Sequence, residues 1–391
     1  SVRPPVAVPD HGGWQDDDTY VHGGHVYTAG MPPTPLPMPG LENINYAMQP
    51  QGSSVIWRQF MDMLVRKELY DILAIFLISA GAPLMRFTGI SGMTFHFTSR
   101  ASGTGKSLGL DAAASIWGQP SRYRVNRDTS PVAMQQRLGL LNSEPLITDE
   151  ITQKNRGDDM EWLPSFLFDM AEGKGKERME AGANKERVNT TYWNTVAMLT
   201  SNNPAVDYLT GTRAHSSEGE LRRLLELVME KQLQWEPADV ELIKALKTNC
   251  GHLGPKLVQY MVDNVGEVSR LTNETTNHLY RKMNASGDER FWMAGISCAM
   301  TAGLLLSDKV TGLMPLPLSK IQAVYQRMLD SMREHTRTGQ RSAADILGMF
   351  IRENYGSFVS IVYVDSKPTV AGGSIDLTQN KSLARIKVMG R

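Results

Sequence analysis

Residues 99–107, Ser-Arg-Ala-Ser-Gly-Thr-Gly-Lys-Ser, carry the clearest chemistry in the chain. Gly103 and Gly105 let the backbone wrap tightly and turn its N–H groups inward, the arrangement that cradles phosphate oxygens. A helix beginning just after them adds its positive N-terminal end. In such a loop Ser102, Gly103, Thr104, Gly105 and Leu108 line the nucleotide, Lys106 reaches the outer phosphates and Ser107 ligates magnesium. The usual pattern has glycine where this chain has Arg100, so the first turn is non-standard while Gly-Thr-Gly-Lys-Ser is intact. A glycine-rich turn with a surface lysine is the plain alternative. The flanks argue against it: a β-prone run, 94–98, precedes the loop and an alanine-rich helical run, 108–117, follows it.

Three later stretches could complete that chemistry. Residues 144–151, Glu-Pro-Leu-Ile-Thr-Asp-Glu-Ile, read as a short apolar strand ending in two acids. Asp149 would hold the magnesium shell and Glu150 would polarise an attacking water. Any edge strand can stop at acids; the pairing with the loop is what gives these two meaning. Residues 194–200 read as a second buried strand, ending in Ser201-Asn-Asn-Pro204. Asn202, at its tip, could orient the water or contact the γ-phosphate, or simply open an Asn-Asn-Pro turn. Arg222 and Arg223 precede a third apolar run, 224–228. There an arginine can face a neighbouring subunit and stabilise charge at its γ-phosphate, or only neutralise a helix end.

Between the acids and Asn202 lies a polar, glycine-punctuated insert with a hairpin pattern, strands at 178–181 and 186–191. Lys174, Lys176, Arg178 and Lys185 could meet a nucleic-acid backbone. Glu172, Glu177, Glu180 and Glu186 nearly cancel them, so a solvated hairpin is the alternative.

Composition sets the limits. The 391 residues are 41% hydrophobic and 21% charged, the balance of a globular chain with room for two or three domains. Lys+Arg and Asp+Glu are 41 each, so any nucleic-acid surface is local. Two distant cysteines exclude a disulfide framework or a zinc-ligand spacing and fit a reducing compartment, which points to a cytoplasmic protein. The apolar runs near 72–80 and 296–306 read as too short or too interrupted to span a bilayer, so no membrane partner is expected.

Strand–loop–helix alternation predicts an α/β fold, a parallel sheet sandwiched by helices. Residues 1–54 are expected to be an extended Pro/Gly-rich segment with a short β element near 21–28. Residues 55–235 form the core, opened by one long helical stretch over 55–80. Residues 236–342 read as a helical C-terminal region, and 343–391 as a small winged-helix-like end with a helix over 345–353 and a β-prone run over 357–364.

Four motifs carry a resemblance. They are 95–107 with 112–118, 146–151, 171–178 (Ala-Glu-Gly-Lys-Gly-Lys-Glu-Arg) and 249–255 (Asn-Cys-Gly-His-Leu-Gly-Pro). Over roughly 70–310 the chain resembles a phage or mobile-element P-loop ATPase of the superfamily 3 helicase and AAA+ type. More narrowly, it is similar to a phage and prophage family known as a domain of unknown function with helicase-like motifs. The resemblance implies an AAA+-like core that binds ATP and Mg2+ between subunits of a homo-oligomeric, commonly hexameric ring. It implies translocation on single-stranded DNA and unwinding of forked DNA in replication, in a bacterial host's cytoplasm if phage-encoded. It also implies that the hairpin basics line the central channel, that Arg223 fits the trans-acting arginine better than Arg222, and that a primase or polymerase domain often lies upstream. Beginning at Ser1, the chain suits a piece of a longer protein. A replication initiator or helicase loader that binds DNA without processive unwinding is the alternative, and a slow nucleotide switch is a third class.

Overall fold

The computed structural model describes residues 9–16, 18–38, 40–126, 128–151, 160–175, 191–211, 218–307, 316–338, 359–364, 367–370 and 385–388. The chain divides into two units, Ser1–Thr336 and Arg337–Arg391.

The N-terminal stretch departs from the extended segment expected of it. It forms four short antiparallel strands in sequential order: β1 (Gly13–Trp14), β2 (Thr19–His22), β3 (His25–Thr28) and β4 (Thr34–Pro35). Gly23 and Gly24, both at positive φ, make the two-residue turn between the paired His22 and His25. The physical reason for folding is aromatic: Trp14, Tyr20 and Tyr27 are buried, and prolines alone do not reveal that payload. The Trp14 indole N–H donates to Pro83 O at 3.0 Å, and His22 Nδ1 meets Glu144 Oε1 at 2.7 Å with both side chains buried.

The main sheet has four parallel strands in the order β6-β7-β5-β8: β5 (Gly92–Thr98), β6 (Leu146–Thr148), β7 (Thr195–Ser201) and β8 (Leu224–Val228). All seven residues of β5 and of β7 are buried, as covered parallel strands require. The β-prone runs before the loop and before Asn202 are therefore neighbours in the sheet, although about a hundred residues separate them in sequence.

The helical stretch expected over 55–80 is two helices. Ser54–Arg66 is amphipathic and keeps a solvent face; Tyr70–Gly81 is buried from Ile72 onward. The break falls at Glu68, which has φ +56°, outside the helical region. By length and composition Tyr70–Phe87 is apolar enough to cross a bilayer, contrary to the expectation, but 78% of it is buried inside this fold. It packs on the helices Lys106–Ala114 and Arg290–Leu305.

That packing depends on Gly81. A Cβ there would lie 2.5 Å from the backbone carbon of Cys298. Gly81→Ala must push the helices apart and should cost about 1–3 kcal/mol, read as a lowered thermal midpoint. Gly266→Ala, in open space in another helix, is the control and should gain about 0.5 kcal/mol. Equal shifts in the two variants would refute the close-packing account.

Helices Pro237–Leu246, Leu253–Asp263, Val265–Lys282, Arg290–Leu305 and Leu318–Thr338 follow. In the second unit, β9 (Val359–Val364) pairs antiparallel with β10 (Lys367–Val370) and parallel with β11 (Arg385–Val388). The helix expected over 345–353 lies outside the described residues, and the described part is this mixed sheet rather than a recognisable winged helix.

Candidate functional site

The loop leaves the C-terminal end of β5, the sheet edge where ligands of open parallel sheets bind. Its first turn is closed by Ser99, whose hydroxyl donates to Ala101 O at 2.7 Å. Gly103 (φ +78°) and Gly105 (φ +95°) supply the left-handed positions. Gly105 is needed twice over, because a Cβ there would also meet Leu233 Cδ1 at 2.7 Å. Leu233 N–H in turn donates to Gly103 O at 3.0 Å, bracing the loop from outside. Arg100 does not take a positive φ, so a non-glycine residue fits the first turn without strain; its side chain is exposed and 3.7 Å from Asp207. Ser102 and Gly103 are exposed, Thr104 is buried, and Leu108 is half-buried.

Lys106, first residue of the helix Lys106–Ala114, gathers the edges of two strands. Its Nζ donates to Ser99 O (3.2 Å), Ser201 O (2.9 Å) and Asn202 Oδ1 (2.8 Å). Burial lowers the Lys106 pKa, and the nearby Glu150 and Asp149 carboxylates oppose that shift. Asn202 is a bridge: its Nδ2 donates to Glu150 Oε2 at 2.9 Å. Glu150 sits at φ +52°, held there by its N–H donating to Thr200 Oγ1 at 2.9 Å. The same Thr200 hydroxyl donates to Asp149 Oδ1 at 2.7 Å. Asp149 Oδ2 accepts from Ser107 Oγ at 3.1 Å and from Arg124 Nη1 at 3.2 Å. The structure thus brings together Lys106, Ser107, Asp149, Glu150 and Asn202.

The metal that the sequence reading expects would find suitable donors. A serine hydroxyl and a carboxylate oxygen in contact are the hard ligands magnesium takes beside phosphate oxygens and water. Arg124 shares the Asp149 oxygen and would have to yield part of it.

Sequence reasoning missed Thr200 and Arg124. Thr200 carried a weak signal, a hydroxyl near the end of an apolar strand run before Asn202. Arg124 carried none, because its position depends on where residues 120–125 cross the end of β6, where Val125 bridges to Thr148.

Arg222 and Arg223 are not part of this cluster. Leu224 pairs with Thr94, so Arg223 is level with Met93, roughly 17 Å along the strands from Thr98. Its guanidinium carbon lies 4.2 Å from the Phe168 ring centre and 5.1 Å from that of Phe291, and Nη1 donates to Gly219 O at 2.7 Å. Burial and the nearby Arg290 charge lower its pKa, against Glu220 and Glu172. Arg222 pairs with Glu218 at 3.2 Å and stacks over Trp292. Of the expected DNA-contacting residues, Lys174 opens the insert, bridging to Tyr192 across its base, while Lys176, Arg178 and Lys185 lie outside the described residues.

A family model described as a domain of unknown function (DUF927) matches residues 2–189. No curated protein sequence matches the chain. Among solved structures, the SCCmec type IV Cch active helicase superposes with a TM-score of 0.63 at 18% identity, covering 94% of this chain. The X-ray structure of JCV helicase superposes at a TM-score of only 0.23 and 9% identity, covering 81% of this chain and 74% of that one. This chain spans 66% of the Cch helicase chain, and the likeness between those two is one of fold: a helicase-like α/β core with a parallel sheet between helices.

Proposed function

We propose that this chain is an ATP-driven helicase or translocase on single-stranded DNA, with an AAA+-like, superfamily 3-type core. One observation carries the reading. Lys106, Ser107, Asp149, Glu150 and Asn202 form one hydrogen-bonded network at the C-terminal edge of a parallel sheet. A fold shared with a protein described as an active helicase supports it. In this reading the loop N–H groups and Lys106 bind the phosphates of ATP, and Ser107 and Asp149 hold Mg2+. Glu150 takes a proton from the attacking water, which Asn202 helps to place. Arg223 serves a neighbouring subunit of a ring, hexameric in this proposal. Lys174, Lys176, Arg178 and Lys185 contact the DNA backbone, so binding is salt-sensitive and indifferent to sequence. The work belongs to replication of a phage or mobile element in the host cytoplasm, with a primase or polymerase domain as a candidate partner.

The test is ATP hydrolysis with and without single-stranded DNA across protein concentration. Turnover that DNA stimulates, and that rises cooperatively with concentration, is the expected result; strand displacement from a fork then separates a helicase from a loader. Lys106→Ala should lower turnover about 10²-fold, the loss expected for one preorganised cationic donor, and weaken nucleotide binding in the same variant. Unchanged turnover in Lys106→Ala would overturn the site.

A further inference from the structure

The strand tip that presents Asn202 is gripped at both ends by a buried pair of side chains that the chemistry above does not use. His96, in the middle of β5, is fully buried, and Glu226, in the middle of β8, is nearly so. His96 Nδ1 lies 2.7 Å from Glu226 Oε2. His96 Nε2 lies 2.9 Å from Ser201 Oγ, at the start of the tip. Glu226 Oε2 also accepts from Ala205 N–H at 2.7 Å, just past the tip's other end. Asn202, Asn203 and Pro204 are the only residues between those two anchors.

The Ser201 hydroxyl fixes which side donates. Ser201 has one hydroxyl proton, and it goes to Asn203 O, a carbonyl that can only accept. The contact from Nε2 to Oγ must therefore be donated by histidine. Glu226 Oε2 accepts the Ala205 amide N–H and shares its other contact with His96 Nδ1. The pair is a buried hydrogen-bonded bridge that reaches across three strands, β8, β5 and β7.

We infer that His96 and Glu226 are positioning residues for ATP hydrolysis, acting through Ser201 and Ala205 to hold Asn202 against Lys106 and Glu150. The inference rests on the function proposed above. Asn202 must place one amide oxygen on Lys106 and the amide nitrogen on Glu150 together, and both contacts are short. A tip free to rock by an ångström would lose one or the other. Misplacement on that scale costs up to about 10²-fold in rate. Phosphate binding by the loop does not need the tip to be so exact, so binding and turnover should separate.

The gentlest variant is Ser201→Ala, which removes the hydroxyl link and keeps the backbone oxygen that Lys106 uses. His96→Phe/Glu226→Gln removes both members of the pair together, keeps the volume, and leaves an acceptor for Ala205 N–H. Each should lower kcat for ATP about 10- to 100-fold while the dissociation constant for Mg-ADP stays within about threefold of wild type. In an Asn202→Ala background, Ser201→Ala should cost nothing more, because both act on one contact. Unchanged kcat in Ser201→Ala, or losses that multiply with Asn202→Ala, would overturn the positioning role. A second measurement does not depend on turnover. Crystal structures should show the Asn202 amide in contact with Lys106 and Glu150 in the wild type and displaced from one of them in Ser201→Ala and in the double variant. A tip left unmoved in both variants would overturn the positioning role. A wild-type chain that hydrolyses no ATP would overturn the proposed function and the catalytic half of this inference, while the position of the Asn202 amide in the variants still decides whether the pair holds the tip.

Discussion

Replacing Arg223 with alanine should lower ATP turnover by about 10³-fold or more, the range measured for an arginine supplied to a transferring phosphoryl group. The loss should also be repairable by another subunit. Arg223 sits at the opposite end of the strands from its own loop, too far for a side chain to span. In the proposed function its charge would therefore act on a phosphate of a neighbouring copy. Stacking on Phe168 and Phe291 and the bond to Gly219 O hold the guanidinium in one orientation, which limits the ordering it must undergo to act. Mixing Arg223→Ala with Lys106→Ala is the decisive measurement. Each alone should be nearly inactive. In the proposed ring, a mixture would leave some interfaces with an intact Lys106 facing an intact Arg223, and turnover should return. A mixture no better than its parts would reduce Arg223 to packing between Phe168 and Phe291. Arg223→Lys should recover little, since lysine keeps the charge but loses the planar fork.

The site was legible wherever one local stretch determines the outcome. The loop 99–107 announces itself because glycine is needed at positive φ and lysine must open the next helix. Asp149, Glu150 and Asn202 were legible because a short apolar run ending in polar residues marks a strand tip. What stayed hidden depends on contacts between distant segments. That β7 lies between β5 and β6 makes Asn202 the bridge from Lys106 to Glu150, and no window of sequence contains that order. Arg124 joins Asp149 by the same kind of crossing. His96 and Glu226 left a trace, one histidine and one acid alone in otherwise apolar strands, but only adjacency of β5 and β8 turns two oddities into a pair. Of the N-terminal sheet, the β element near 21–28 was legible as the hairpin Thr19–His22 and His25–Thr28; the rest was read as extended because proline and glycine are prominent in its composition, while Trp14, Tyr20 and Tyr27, which determine its burial, are few.

Replacing Glu150 with glutamine should separate binding from hydrolysis most cleanly. Glutamine keeps the length and the carbonyl acceptor that Asn202 Nδ2 uses, so the network around Lys106 should survive. It cannot take a proton from water. A positioned base contributes about 10²- to 10⁴-fold, and turnover should fall by that amount. Lys106, Ser107 and Asp149 are untouched, so nucleotide should bind as before. Two readouts follow from the contrast with Lys106→Ala. Mg-ATP should raise the thermal midpoint of Glu150→Gln and keep it raised, because bound nucleotide stabilises the folded state and is no longer consumed. The same addition should move Lys106→Ala little. Single-stranded DNA, expected to stimulate the wild type, should leave Glu150→Gln slow, since DNA can improve the placement of a base but cannot replace it. If Glu150→Gln hydrolyses ATP at the wild-type rate, the base lies elsewhere. The Thr200 hydroxyl that fixes Glu150 at positive φ would then serve only the Asp149 side of the site.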